Sequence, residues 1–265
     1  MNNIIESFIS IQGEGLRTGR PTLFIRLSGC NLRCVFRNSA GKVTSCCDTP
    51  YASFEGSFAE GKYTDDDVIK MLTNNPQVKD VVITGGEPLL NQVSLAEFIK
   101  KLREVRDFTL TIETNGTIVP SDYLLEQVDL WSTSPKLASS TPTVKDGKKY
   151  GVTEAQCKYH NMHRINIIAL ATMLSEGHDC QLKFVYTGPE CIEEINEISS
   201  EITDYQTNHN MDVVNVNDYI MLMPEGITSK AIIGKSDEVV KVCIERGWTY
   251  TSRMHILIWG NVKEK

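Results

Sequence analysis

The sequence has no basic leader followed by an apolar stretch after Met1, and no run of about 18 apolar residues that could cross a bilayer. A cytoplasmic protein with no membrane partner is therefore expected. It also has no Gly/Ser-rich, Pro-rich or single-residue tract and no clear internal repeat, so nothing in it reads as a linker. Positive charge is scarce: 27 Lys and Arg stand against 34 Asp and Glu, a formal net charge of -7. Such a chain lacks the clustered cations that grip a phosphate backbone, and direct nucleic-acid binding is not expected. The five histidines show no ligand spacing, so none is given a role in proton transfer.

What is present is ordinary globular composition, 41% hydrophobic and 23% charged over 265 residues. A single domain over 1–265 is expected, because one α/β barrel reaches this length and can bury its core. Eight cysteines in a chain without an export signal read as metal ligands, catalytic thiols or small buried residues rather than as disulfides.

The apolar run Thr22 to Leu27, bounded by Arg20-Pro21 and Ser28-Gly29, predicts a buried strand that delivers Cys30 to a loop. Thr64 then suits a helix cap, with Asp65 to Asp67 near the positive helix end and Val68, Ile69 and Leu72 as an apolar stripe. Strands are predicted at Val81 to Thr84, Phe108 to Thr114, Leu130 to Thr133, Gln181 to Tyr186 and Tyr219 to Met223, and helices at Ser94 to Val105 and Lys230 to Arg246. Alternation of this kind predicts an α/β fold of parallel βα units, a partial (β/α)6 TIM-like barrel. The stretch 145–177 breaks the rhythm: it reads as an irregular insertion, with Ile165 to Leu174 as an apolar helix.

The chemistry concentrates in the loop 28–50. Cys30 and Cys34 sit directly after a strand, and Cys46 and Cys47 lie side by side thirteen positions later. Soft thiolates suit iron and zinc. Three of them leave one metal position open, as in a cluster that binds a cofactor, whereas structural zinc takes four protein ligands. Spacing alone also admits unrelated cysteines, and all four thiols together admit a non-enzymatic zinc module.

The pair Cys30-Asn31-Leu32-Arg33-Cys34 resembles the start of the cluster motif of the radical S-adenosylmethionine superfamily, which is Cys, three residues, Cys, two residues, Cys. Here the third cysteine is displaced by an insertion, Arg37 to Cys46. Cys47 is taken as that ligand because the run Cys47-Asp48-Thr49 closes the motif in the most similar relatives. Thr84-Gly85-Gly86-Glu87-Pro88 resembles the superfamily's second hallmark, and Phe8-Ile9-Ser10-Ile11-Gln12-Gly13-Glu14-Gly15 is similar to the N-terminal signature of the 7-carboxy-7-deazaguanine synthase family.

That resemblance implies a 4Fe-4S cluster on Cys30, Cys34 and Cys47. It implies S-adenosylmethionine held by Gly86, Glu87, Asn115, Ser134, Pro135, Lys136 and Gln181, and Mg2+ at Thr49. A pterin substrate would be held by Ile11, Gln12, Gly13, Glu14, Arg26, Thr84 and His255, with the planar donor fork of Arg26 suited to its carboxylate. The implied reaction begins with a 5′-deoxyadenosyl radical, contracts the ring of 6-carboxy-5,6,7,8-tetrahydropterin and releases ammonia. A flavodoxin-type or other electron donor and a homodimer come with the family. The rival enzyme reading is a radical-activating subunit acting on a partner protein; the match at Gln12 to Gly15 and at Arg26 argues against it. Cys157, Cys180, Cys191 and Cys243 are scattered and read as small buried residues.

Overall fold

The computed structural model describes residues 2–53 and 61–264, with Lys148 by its backbone alone. Met1, 54–60 and Lys265, which the expected domain includes, lie outside the described residues. The chain opens with β1 (Ile4–Ile11) and β2 (Pro21–Leu27), then a hairpin of β3 (Val35–Arg37) and β4 (Val43–Cys46), a short α1 (Pro50–Ser53) and α2 (Asp65–Asn74). There follow β5 (Asp80–Gly85), α3 (Gln92–Val105), β6 (Thr109–Thr114), α4 (Asp122–Gln127) and β7 (Leu130–Thr133). Three helices come next, α5 (Gly147–Tyr150), α6 (Glu154–His163) and α7 (Ile167–Glu176). The chain then runs through β8 (Cys180–Tyr186), α8 (Glu190–Asn208), β9 (Ile220–Pro224), α9 (Ser229–Arg246), β10 (Thr249–Tyr250) and α10 (Met254–Trp259).

Eight strands form one sheet in the order β1-β2-β5-β6-β7-β8-β9-β10. The six strands from β2 to β9 are parallel, and they are the six that alternation predicts. All residues of β7 and β9 are buried, as expected of parallel strands covered on both faces. Among the described residues the sheet does not close: β1 caps one side, antiparallel to β2 with Phe8 stacked on Phe24 at 5.2 Å, and β10 lies outside β9 at the other. The apolar layer between sheet and helices includes Phe98, Trp131 and Phe184, all fully buried.

Thr64 caps α2 through a reciprocal capping box with Asp67, and Val68 and Leu72 are buried, as its pattern predicts. The stretch 145–177 is not irregular. Paired caps start helical turns there, Thr143 with Asp146 and Thr153 with Gln156, and Asn166 caps α7. Six of the ten residues of α7 are buried, so it carries no polar stripe by which its ends could be read.

Candidate active site

The C-terminal ends of the parallel strands deliver their loops to one cavity of about 610 Å3, the arrangement that barrel-type sheets use for catalysis. β2 leads to the cysteine loop. The insertion after Cys34 is the β3–β4 hairpin, whose register pairs Val35 with Cys46. Antiparallel pairing turns the chain back on itself, so the Cys47 N–H donates to the Cys34 carbonyl at 3.1 Å. The insertion therefore lengthens the motif without separating its ends. Cys30, Cys34, Cys46 and Cys47 all line the cavity. Burial pushes the Cys30 thiol up to about 12, and it raises Cys34 and Cys47 as well, each group further disfavoured by the charge of its neighbours. Such thiols ionise only beside a cation, which is what a metal centre provides. Cys30 and Cys47 act on Cys34, whereas the Cys46 thiol points to the carbonyl of Cys47 at 3.4 Å. Among the described residues no three His, Cys, Asp or Glu side chains are close enough to share a single ion.

Gly85 and Gly86, after β5, meet the cysteine loop directly. A Cβ on Gly86 would stand 2.0 Å from the Gly29 carbonyl, and one on Gly85 would stand 2.1 Å from that of Leu27, where φ is +148°. The Gly86 N–H donates to the Leu27 carbonyl and the Glu87 N–H to that of Gly29. Glycine is needed here for backbone to lie against backbone. The Glu87 carboxylate does not reach the cavity wall. It accepts from Leu89 N, Thr114 Oγ1 and Asn115 N at 2.7–3.0 Å, and burial still holds its carboxyl above the ordinary range. Asn115, thus held, turns Nδ2 towards Asn31 at 2.9 Å and towards the Cys30 sulfur at 3.9 Å. Ser134 and Lys136 line the cavity after β7, with the Lys136 ammonium donating to Ser134 Oγ, while Pro135 is off the wall.

A second stretch of wall comes from β1, its following loop and α10, with Arg26 from β2 and Thr84 from β5. Ile11, Gln12, Gly13, Glu14, Arg26, Thr84 and His255 all border the cavity. Arg26 donates through Nε to Glu6 at 2.7 Å, and Glu6 also accepts from Tyr51. The Met254 N–H donates to the Gly13 carbonyl and brings His255 so close that a Cβ on Gly13 would stand 2.1 Å from Nδ1. Burial lowers the pKa of His255, leaving a neutral imidazole. Thr49 borders the cavity with its hydroxyl 3.6 Å from the Cys47 sulfur. Gln181 is off the wall, its amide bonded to Ser132 Oγ and Leu16 N, where it fixes the loop that carries Glu14.

The charged residues bordering the cavity that were not singled out from sequence include Lys183, Glu113, Arg253 and Asp48. Burial alone would raise the Glu14 carboxyl, but the Lys183 ammonium at 2.9 Å and the Arg253 guanidinium at 3.2 Å hold it well below the ordinary range. Lys183 lies between Glu14 and Glu113, and Arg253 spans Glu14 and Asp48, with 2.5 Å to the latter. Lys183 lies within the predicted strand Gln181 to Tyr186 and Arg253 two residues before His255, and that neighbourhood was the available signal.

A family model described as a 4Fe-4S single cluster domain matches residues 11–135. A 7-carboxy-7-deazaguanine synthase from Halobacterium salinarum is 37% identical over 98% of this chain and 91% of its own. One from Rhodopirellula baltica is 35% identical over 97% of this chain and 86% of its own. The chain belongs to the 7-carboxy-7-deazaguanine synthase family. The crystal structure of QueE from Escherichia coli shares the fold, with a TM-score of 0.56 at 23% identity over 96% of this chain and 94% of that one. This is the radical S-adenosylmethionine family whose resemblance the motifs carry. Because the likeness to the Halobacterium 7-carboxy-7-deazaguanine synthase covers nearly the whole chain, it takes in both walls of the cavity.

Proposed function

We propose that this chain forms 7-carboxy-7-deazaguanine from 6-carboxy-5,6,7,8-tetrahydropterin with loss of ammonia, using a 4Fe-4S cluster, S-adenosylmethionine and Mg2+. The observation that carries the reading is one cavity bordered both by Cys34, which is buried, with the half-buried Cys30 and Cys47, and by Glu14, Arg26 and His255. The donor set fits an iron–sulfur cluster: the thiols are soft, and they are raised far enough that they need a cation to ionise. One-electron chemistry on S-adenosylmethionine is what the cluster would supply when bound.

The chain's own residues bind, orient and exclude water. Cys30, Cys34 and Cys47 would hold the cluster. Gly86, Asn115, Ser134 and Lys136 would meet S-adenosylmethionine, with the Lys136 ammonium available to its carboxylate, while Glu87 holds Asn115 from behind. The guanidinium of Arg26, charged and paired through Nε with Glu6, keeps its two terminal amino groups for the substrate carboxylate. Ionised Glu14 accepts from the amino edge of the pterin, Gln12 and Thr84 border the ring, and neutral His255 accepts or donates without adding charge. Thr49 contributes a single neutral oxygen to Mg2+, whose other ligands would be substrate oxygens and water.

A one-electron donor of the flavodoxin type, a homodimer and a cytoplasmic setting complete the reading; no helix among the described residues is long and apolar enough to cross a membrane. The test is anaerobic reconstitution, then reductant, S-adenosylmethionine, Mg2+ and the tetrahydropterin, with 7-carboxy-7-deazaguanine followed by mass. Cleavage of S-adenosylmethionine without that product would leave the radical chemistry and remove the substrate.

A further inference from the structure

One buried imidazole outside the cavity wall makes contacts that the proposed reaction does not use. His160, on α6, is fully buried. Its Nδ1 accepts the backbone N–H of Arg33 at 3.1 Å, and its Nε2 lies 3.2 Å from Ser140 Oγ, which in turn donates to the Leu137 carbonyl at 2.7 Å. A backbone N–H can only donate, so Nδ1 presents the lone pair and Nε2 carries the proton, donating it in a hydrogen bond to Ser140 Oγ. The ring is neutral: burial, with Arg164 and Lys136 nearby, lowers its pKa to about 4.

The two ends of this relay are parts of the site. Arg33 lies between Cys30 and Cys34, and its guanidinium donates back to the Cys30 and Leu32 carbonyls at 2.8 Å. One residue on, the Cys34 carbonyl accepts from Cys47 N. Leu137 and Ser140 follow the rim residues Ser134 to Lys136, and one helical turn beyond His160, Arg164 donates to the Lys136 carbonyl at 3.0 Å. The helix that the sequence left outside the βα rhythm thus braces the cysteine loop and the β7 rim against one element.

We infer that His160 is a positioning residue, which fixes the backbone between two cluster ligands through Nδ1. The inference rests on the reading of Cys30, Cys34 and Cys47 as cluster ligands. Its geometry is specific to one ring nitrogen: Asn can place an oxygen where Nδ1 stands, Gln reaches instead towards Nε2, and Leu reaches neither.

The test compares reconstituted full-length parent, His160→Asn, His160→Gln and His160→Leu. Iron release to a chelator is followed, with the electron paramagnetic resonance of the reduced cluster before and after S-adenosylmethionine. His160→Leu and His160→Gln are expected to lose iron about 10- to 100-fold faster than the parent, the range for residues that orient metal ligands, and to give an altered S-adenosylmethionine-induced spectrum. His160→Asn is expected to match the parent in both. Retention and spectra unchanged in all three would overturn the inference, as would a His160→Asn protein that behaves like His160→Leu. Should the Leu and Gln proteins fail to fold, His160→Ser, too short to reach Arg33 N, takes their place: faster iron loss than from His160→Asn supports the inference, and equal retention overturns it. A parent that takes up no iron and sulfide sinks the cluster reading itself, a result distinct from a parent with a stable cluster that His160 does not affect.

Discussion

The two adjacent cysteines, Cys46 and Cys47, differ in what surrounds them. Cys47 sits against Thr49 and Ser53 at 3.6 Å, whereas Cys46 is turned back on the main chain. Cys47→Ala should therefore abolish cluster assembly and Cys46→Ala should leave it near that of the parent, measured as iron and sulfide per chain. At Arg26, substitution by Lys keeps the charge but loses the planar fork. Its KM for the pterin is expected to rise about tenfold or more, equivalent to about 1.4 kcal/mol, with a smaller change in kcat. An unchanged KM would mean that the carboxylate is held elsewhere. The cysteines stood out by their spacing after a strand, whereas Arg26 entered only through the family resemblance. Lys183 and Arg253 were not legible, because a buried cation is explained only by its partners, and Glu14 and Asp48 lie far from both in sequence.

At the scale of elements, alternation exposed the parallel strands because each is a short apolar run between turns. β1 was read as a binding signature and not as a strand: its first four residues are all buried, so it shows no clean alternation. The hairpin was visible only as extra residues, since its role depends on a register, Val35 against Cys46, that length does not encode. The turn after β5 is the most exacting element. Gly86→Ala would drive a methyl into the Gly29 carbonyl, and the loops must separate. A loss of about 1–3 kcal/mol is expected in denaturant unfolding, with weaker cluster retention. A Gly86→Ala protein of parental stability would show that this packing is looser than it stands.

For the molecule as a whole, six parallel strands with their ends gathered at one cavity match the partial barrel that the βα rhythm predicts, while the brace formed by α6 rests on contacts between residues far apart in sequence. That brace gives the fold a pH dependence. His160 has a folded pKa of about 4 against an ordinary value of 6.5, so the unfolded chain binds the proton first. Its contribution is fully present above pH 6.5 and is lost as the pH falls towards 4, by roughly 3 kcal/mol at most. Thermal unfolding of the parent should accordingly fall more steeply between those values than that of His160→Asn, which does not titrate there. Parallel curves would contradict a neutral buried imidazole.

The central claim is that the two walls of one cavity serve one reaction. Its most direct test is mass detection of 7-carboxy-7-deazaguanine from anaerobically reconstituted protein given reductant, S-adenosylmethionine, Mg2+ and 6-carboxytetrahydropterin, beside Cys47→Ala. Product from the parent and none from the variant is predicted. A parent with an intact cluster and no product, or equal product from both proteins, would contradict the account.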